Sequence, residues 1–169
     1  AISTSEIYVQ GKYTQYSQDQ LKLCNITDDP QLYFAITPDF VRECMVGRFE
    51  DTVIIFMSCN GLKQGYYKTA EALVEKGAKV FISWDEWVSS SDNDNAISLL
   101  LQYLINENVT IGEAVDRIPR YYSSYGSSKL DYYPQTSETS GYRIPNYKQT
   151  SVASYAGFAA VSYTHLTLP

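Results

Sequence analysis

Two uninterrupted apolar runs in the middle of the chain predict strands that are buried on both faces. The first is Thr52–Met57, which is rich in β-branched residues, and the second is Ala78–Ser83. Consecutive apolar residues are typical of strands inside a parallel sheet. Between the two runs, a helix is predicted from about Tyr66 to Lys76, with Gly77 as its C-cap. A strand, a helix and a strand in this order form a βαβ unit, whose crossover makes the strands parallel.

Capping residues and apolar spacing predict three more helices. Thr37 is a natural N-cap and Pro38 a natural first residue for a helix that ends near Val46, before Gly47. A strongly apolar helix is predicted over about Asp94–Asn106, because its apolar residues repeat at helical spacing. The next helix begins with a capping box, in which Thr110 is the N-cap and Glu113 follows three residues later, and it ends before Pro119.

The first thirty residues carry weaker patterns. They are polar and rich in Tyr and Gln, with some alternation in Ser5–Val9 and a short helix expected around Asp19–Cys24. A short apolar run, Leu32–Ile36, follows. The middle of the chain therefore predicts an α/β fold, and the start of the chain adds little to it.

Composition narrows the classes of function. The chain has 169 residues, of which 44% are hydrophobic and 19% charged, which is enough apolar content for a buried core. Thirteen Lys and Arg against nineteen Asp and Glu give a net charge of −6. This charge argues against a nucleic-acid partner, which requires a clustered basic surface. The longest apolar runs are far shorter than the roughly 20 residues of a membrane span, so none is predicted.

The three cysteines predict neither a metal site nor a disulfide framework. Cys24, Cys44 and Cys59 form no CxxC pair, and the single histidine, His165, gives them no plausible zinc set. No metal or organic cofactor is expected. Tyrosine is the unusual residue, with sixteen in the chain. Seven of them fall within residues 121–147 among Ser, Gly and Pro, which indicates extended or loop structure.

The two predicted strands end in residues that are capable of chemistry. In an open α/β sheet, ligands bind at the carboxyl ends of the strands. The first strand leads into Ser58-Cys59-Asn60-Gly61 and the second into Trp84-Asp85. Cys59 therefore occupies the position of a nucleophile, and backbone N–H groups in the tight turn at Asn60 and Gly61 are candidates for an oxyanion hole. The alternative interpretation is a small buried cysteine that only packs, because free cysteine behaves as a hydrophobic residue.

Several segments of the chain, in this order, together resemble a caspase-like cysteine-peptidase domain of clan CD. The similarity is greatest to the CHAT and gingipain-like group, and within it to uncharacterised archaeal members, and it covers roughly residues 3–135. The segments that carry it are Ile36–Val41, Met45–Phe49, Thr52–Met57 with Ser58-Cys59-Asn60-Gly61-Leu62, and Ala70–Val74 with Lys76–Trp84.

The resemblance implies a fold and a site. The fold would be part of a three-layer α/β/α domain with a mainly parallel sheet, spanning residues 1–147 and closed by the Tyr-rich segment 121–147. Cys59 matches the nucleophile of the family, and Gly61 lies in the turn that follows it. Asp85 resembles an acidic residue that lines the substrate pocket in relatives specific for basic residues; the alternative is a solvated residue or a helix cap. Trp84 and Trp87 are placed to form a wall of such a pocket, and the alternative for them is packing at the strand end. The partner would be a peptide or protein substrate.

The chain departs from the family at the second catalytic residue. The family has a histidine on the strand before the cysteine strand, and no histidine occurs between Ala1 and Cys59. The opening residues resemble a segment that follows this histidine in the archaeal relatives. We therefore expect a fragment that is truncated at its N-terminus, whose histidine lies upstream of residue 1 and which by itself hydrolyses no peptide.

The end of the chain is predicted to lie outside the domain. Residues 148–169 show no amphipathic period, so an unstructured tail is expected there. Val161–Pro169, which contains His165, resembles translated sequencing-adapter read-through from metagenome assembly and is expected to be artefactual.

Two other functions remain open at this point. A catalytically inactive member of the same fold would act as a protein-interaction module. An unrelated doubly wound domain would bind a small ligand where its strand order reverses, although the chain contains neither a GxGxxG nor a Walker A motif.

Overall fold

The protein is an α/β structure of three small sheets and five α-helices in the part of the chain that the computed structural model describes, residues 1–25, 29–124 and 126–145. The strands are β1 (Ile2–Ile7), β2 (Leu21–Asn25), β3 (Leu32–Ile36), β4 (Val53–Ile55), β5 (Val80–Trp84), β6 (Tyr121–Ser123), β7 (Gly126–Ser128) and β8 (Leu130–Tyr133). The helices are α1 (Pro38–Glu43), α2 (Lys68–Glu75), α3 (Ser90–Leu101), α4 (Ile111–Arg117) and α5 (Ser137–Gly141). None of the described helices is long and apolar enough to span a membrane.

The central sheet has the strand order β4-β5-β8 and combines both strand directions. β4 and β5 are parallel, with Val53 opposite Val80 and Ile55 opposite Ile82, which confirms the prediction for this pair. β8 runs antiparallel to β5. The expectation of a mainly parallel sheet is therefore wrong for the described residues, since β1-β3-β2 and β6-β7 are also antiparallel. β5 and β8 are not joined by a single crossover helix, because α3, α4 and the β6–β7 hairpin lie between them, so the rule that makes the strands of a βαβ unit parallel does not apply to this pair.

The central sheet is covered by helices on both faces. Alternate strand residues point to opposite sides, so Ile55 and Ile82 pack in a core with Leu100 of α3 and Val115 of α4. On the other face, Phe81 packs with residues of α1 and α2. Every residue of β5 is buried, as expected of a central strand with neighbours on both edges.

The N-terminal part forms an antiparallel sheet, and here the sequence prediction of a short helix at Asp19–Cys24 is wrong. Leu21–Asn25 is β2, whose residues pair with the whole length of β3. Cys24 is buried in this sheet, and its Sγ lies 3.0 Å from Ser3 Oγ in β1. Pairing along the whole length of β3 outweighs the weak local preference for a helical turn.

Two of the helices with a Thr N-cap, α1 and α4, begin where the sequence predicts. The Thr37 hydroxyl accepts a hydrogen bond from the Phe40 N–H at the start of α1, and the Thr110 hydroxyl accepts one from Glu113 at the start of α4. α4 ends at Arg117, before Pro119. α1 is shorter than predicted and ends at Glu43, because Cys44 is its C-cap.

The two longer helices differ from their predicted limits. α2 spans eight residues, and Gly77 follows it at φ +103°, where a Cβ would lie 2.3 Å from the Phe49 carbonyl oxygen. Only glycine fits such a close approach in this conformation. α3 begins at Ser90, four residues before the predicted start, because the Ser89 hydroxyl caps Asp92 N–H. Its predicted C-terminal part is a π-helical turn, Gln102–Asn106.

The first part of the Tyr-rich segment is extended, as its composition indicates, but the expectation of extended or loop structure is wrong for Ser137–Gly141, which is helical. β6 and β7 form a hairpin, β8 joins the central sheet, and α5 follows. The predicted tail at 148–169, with its artefactual stretch 161–169, lies outside the described residues, so it stays a prediction, and so does the domain limit at residue 147.

Candidate functional site

Cys59 lies in a tight turn a few residues after the end of β4 at Ile55, at the carboxyl edge of the central sheet. Ser58 before it is buried, and Asn60 after it has φ 60°, in the left-handed region. Asparagine adopts this conformation more readily than most residues, since its short polar side chain tolerates it. The turn closes with a hydrogen bond from the Lys63 N–H to the Asn60 carbonyl, at 3.2 Å. The side chain of Cys59 is thereby held just beyond the strand, where the sequence places it.

Gly61 allows this turn to pack directly against β5. A Cβ at Gly61 would lie 2.0 Å from Ser83 Oγ and 2.8 Å from Ser83 Cβ, so no larger residue fits without a shift. The Ser83 hydroxyl also donates to the Phe56 carbonyl, at 2.6 Å, and the Leu62 N–H donates to the Trp84 carbonyl, at 2.9 Å. The Cys59 turn is therefore fixed to the end of the neighbouring strand.

The Cys59 thiol contacts the backbone of Val88, in the loop that follows β5. Its Sγ lies 3.4 Å from the Val88 N–H, which donates to it, and 3.5 Å from the Val88 carbonyl oxygen. The side chain is half-buried, like that of Cys44, whereas Cys24 is buried. Sulfur is a weak acceptor as a thiol and a strong one as a thiolate, so the Val88 N–H is a ready donor to the ionised form.

A cavity of about 240 Å³ lies beside the thiol. The residues of the Cys59 turn form one wall, and the segment leading into α2 forms another. The described residues that line it are Ala1, Ile2, Phe56, Ser58, Cys59, Asn60, Gly61, Lys63, Tyr66, Thr69, Phe81 and Trp87. The structure thus brings the three turn residues Cys59, Asn60 and Gly61 to one concave surface.

Two backbone N–H groups of the turn are candidates for binding an oxyanion. The Asn60 N–H donates to the Glu86 carbonyl, at 3.3 Å, so it is already engaged. The N–H groups of Cys59 and Gly61 donate to no acceptor within residues 1–25, 29–124 and 126–145. Backbone donors near a nucleophile are the usual components of an oxyanion hole.

Asp85 follows β5 at the same edge of the sheet, but its carboxylate is directed to β8. Its Oδ1 accepts a hydrogen bond from the Lys129 N–H, at 2.6 Å, and the Asp85 N–H donates to the Lys129 carbonyl, at 3.1 Å. This reciprocal pair extends the β5–β8 ladder by one residue. Asp85 is not among the described residues that line the Cys59 cavity.

Trp84 is a core residue in this structure. It is fully buried, its Nε1–H donates to Asn93 Oδ1 at 2.9 Å, and its ring meets that of Tyr121 edge-on at 5.7 Å. Trp87, three residues on, lines the cavity instead. The two tryptophans therefore have different roles, because the alternation of β5 directs Trp84 into the α3–α4 core.

Sequence reasoning missed the side of the cavity that is formed by Lys63, Tyr66 and Thr69. All three lie in the ten residues after Cys59, and Thr69 is in the first turn of α2. A signal was available, because the loop after a parallel strand passes over the carboxyl edge of its sheet. Lys63 Nζ forms an ion pair with Glu86 Oε2 at 2.9 Å, which ties this loop to the loop after β5.

Asp131 in β8, near this edge of the sheet, is a titratable group whose pKa is shifted. Its burial raises the pKa of the carboxyl above the ordinary value of 3.8, and the neighbouring Asp85 charge acts in the same direction. The Tyr132 N–H and the Lys129 charge oppose that rise. The charges of Asp85 and Lys129 thus both affect the pKa of Asp131, in opposite directions.

Neither a metal cluster nor a histidine accompanies Cys59 in the part of the chain that the structure describes. No group of three or more His, Cys, Asp or Glu side chains there is arranged to hold a metal ion. His165 lies outside the described residues.

Comparisons with protein-family models, with curated proteins and with solved structures each found no match to this chain.

Proposed function

We propose that the chain is part of a cysteine peptidase with a caspase-like α/β domain, in which Cys59 is the nucleophile. The observation that carries the proposal is the place of the thiol, which lines a 240 Å³ cavity at the carboxyl edge of the parallel β4–β5 pair. Ligands of open α/β sheets bind at this edge. A cysteine that served only to pack would not need a concave surface beside its sulfur.

The reaction is acyl transfer in two steps. The Cys59 thiolate attacks the carbonyl carbon of a peptide bond, and the tetrahedral intermediate collapses as the C–N bond breaks. The amine leaves with a proton, and the acyl group stays on Sγ as a thioester. Water then attacks the thioester, which releases the carboxylic acid and restores the thiol.

The turn supports this chemistry with donors for the developing negative charge. The N–H groups of Cys59 and Gly61 are the two candidates, since the Asn60 N–H donates to Glu86. Removal of one such donor in a serine protease costs on the order of 10²–10³ in rate. The fixed contact between Gly61 and Ser83 holds these donors in place before substrate arrives.

The proton acceptor is a histidine outside the described residues, upstream of residue 1 as the resemblance implies. A free thiol with its ordinary pKa of about 8.5 is only a few per cent ionised at neutral pH, so a base is needed for turnover. The same imidazole protonates the leaving amine. The chain alone is therefore expected to hydrolyse no peptide.

The experiment is a comparison of Cys59 with Cys44, which is also half-buried and serves as its matched control. The protein with the proposed histidine segment in place is treated with iodoacetamide, and the alkylation rate of each cysteine is followed by mass spectrometry. We expect Cys59 to react faster than Cys44. Equal rates would contradict the proposal and would favour an inactive interaction module.

Chemical rescue provides a second readout. Free imidazole replaces the missing base, so it should accelerate hydrolysis of an activated peptide ester by the chain. The Cys59→Ala variant measures the reaction of imidazole with the ester in solution and is subtracted. A rate increase of the same size in Cys59→Ala would show that the thiol takes no part.

A further inference from the structure

Aromatic residues surround the cavity beside Cys59. Phe56 and Phe81 pack beneath it, with ring centroids 5.7 Å apart, and Phe81 is fully buried, so these rings back the cavity while others face it. Tyr66 and Trp87 lie at its outer part, and Tyr66 is 54% exposed. Aromatic rings in such a position offer faces and edges to another ring, an arrangement that is favourable beyond the burial of area alone.

The size of the cavity matches a large apolar side chain. Its volume is about 240 Å³. An apolar protein cavity of about 150 Å³ is sufficient to bind benzene. The space beside the thiol is therefore large enough for a phenyl ring or a branched aliphatic side chain, with room for the atoms that join it to a peptide backbone.

The charge of the lining disfavours a basic side chain. Lys63 is the one charged side chain among the described residues that line the cavity, and its Nζ is 2.9 Å from Glu86 Oε2. A guanidinium or ammonium that entered would be near this like charge, with no carboxylate in the described lining to receive it. The carboxylate of Asp85, which the resemblance implied for this role, accepts the Lys129 N–H instead.

We infer that this cavity is a specificity pocket for an aromatic or large aliphatic side chain, next to the carbonyl that Cys59 attacks. The inference rests on the proposed function, because attack by Cys59 determines which side chain of the peptide lies in the cavity. It differs from the preference for Arg or Lys that the resemblance implied through Asp85.

The test uses short peptides that end in an electrophilic ketone and differ only in the last residue, which is Phe, Leu, Arg, Lys or Asp. The labelling rate of Cys59 is measured for each and divided by its rate with iodoacetamide, which needs no pocket. We expect Phe and Leu to exceed Arg and Lys by about ten- to a hundredfold, the factor that burial of one large apolar side chain provides.

Two variants and a control link this preference to the cavity. Tyr66→Ala removes an outer aromatic ring and should lower the Phe-to-Arg ratio severalfold. Lys63→Gln removes the positive charge and should raise the Arg rate relative to the Phe rate. Gln64→Ala changes an exposed residue between these positions that does not line the cavity, so it should leave the ratio unchanged.

The outcomes separate this inference from the proposed function. If the peptide ketones label Cys59 but Arg, Lys or Asp is fastest, the inference is wrong and the nucleophile stands. A Phe-to-Arg ratio that is the same in Tyr66→Ala would also overturn it. If no peptide ketone labels Cys59 faster than Cys44, the proposed function fails, and the inference fails with it.

Discussion

The ends of β4 and β5 lie side by side at one edge of the sheet, yet they are built for different tasks. The β4 end turns away through Asn60 and Gly61 and leaves the Cys59 thiol beside a cavity. The β5 end continues straight into pairing with β8, and the Asp85 carboxylate accepts the Lys129 N–H. Of Cys59 and Asp85, Cys59 is the residue that lines the cavity.

The difference shows how a neighbouring antiparallel strand decides the use of a strand end. β5 has a partner on both edges, so polar groups at its end are taken up by β8. β4 is an edge strand of the described central sheet, and the chain after it is free to form a turn. Position at the carboxyl edge is therefore not sufficient for a site of this kind, because the pairing of β8 with the end of β5 engages the Asp85 carboxylate.

The largest effect should distinguish the two tryptophans. Trp84→Ala empties a fully buried site and should lower the free energy of unfolding by about 3–5 kcal/mol. Trp87→Ala changes a half-buried residue of the cavity and should cost less than half as much, while it slows labelling of Cys59 by the Phe ketone. Urea denaturation and the labelling rate measure the two effects, and equal losses of stability would contradict the assignment.

The next largest loss of stability is expected at the contact between Gly61, in the turn after β4, and Ser83 of β5. Gly61→Ala places a methyl group on Ser83 and should destabilise the fold by about 3 kcal/mol, the upper part of the range for overpacking. Gly141→Ala is the matched control, because a Cβ there meets no atom within 4 Å. Thermal unfolding of both variants tests this, and a Gly61→Ala protein as stable as Gly141→Ala would disprove the close approach.

Much of the fold could be predicted from local chemistry, and the site only in part. Thr37 and Thr110 predict their helices because a cap needs only neighbours in sequence. The turn at Cys59 also follows from its own residues. The role of Asp85 depends on Lys129, forty-four positions away, and no local pattern reports that pairing. For the same reason the local sequence predicts a helix where β2 lies, since the strand conformation of β2 is imposed by β3.

A smaller loss of stability is expected when the hydrogen bond between the Lys129 N–H and the Asp85 carboxylate is removed. Asp85→Ala leaves the Lys129 N–H without its acceptor and should cost about 1–2 kcal/mol of stability. Asp85→Asn should cost less, because its side-chain oxygen still accepts. Neither change should alter the order of the Phe and Arg ketones at Cys59. A selective gain or loss for the Arg ketone in Asp85→Asn would return Asp85 to the substrate pocket.

The smallest effect is a pH dependence from Asp131. Burial raises the pKa of this carboxyl in the folded protein, so its contribution to stability is present below its ordinary pKa and is lost as the pH rises through the raised value. Asp131→Asn does not titrate, so its melting temperature relative to that of the unchanged protein should increase from acidic to neutral pH. A difference that is constant over this range would contradict the raised pKa.

The central claim is that Cys59 is a nucleophile that accepts an acyl group from a substrate held in the adjacent cavity. The most direct measurement uses an activated ester of a short peptide that ends in Phe, followed by acid quenching, digestion and mass spectrometry. The account predicts an acyl group on Cys59 within the time in which Cys44 remains unmodified. Acylation of Cys44 at the same rate as Cys59, or of neither residue, would contradict it.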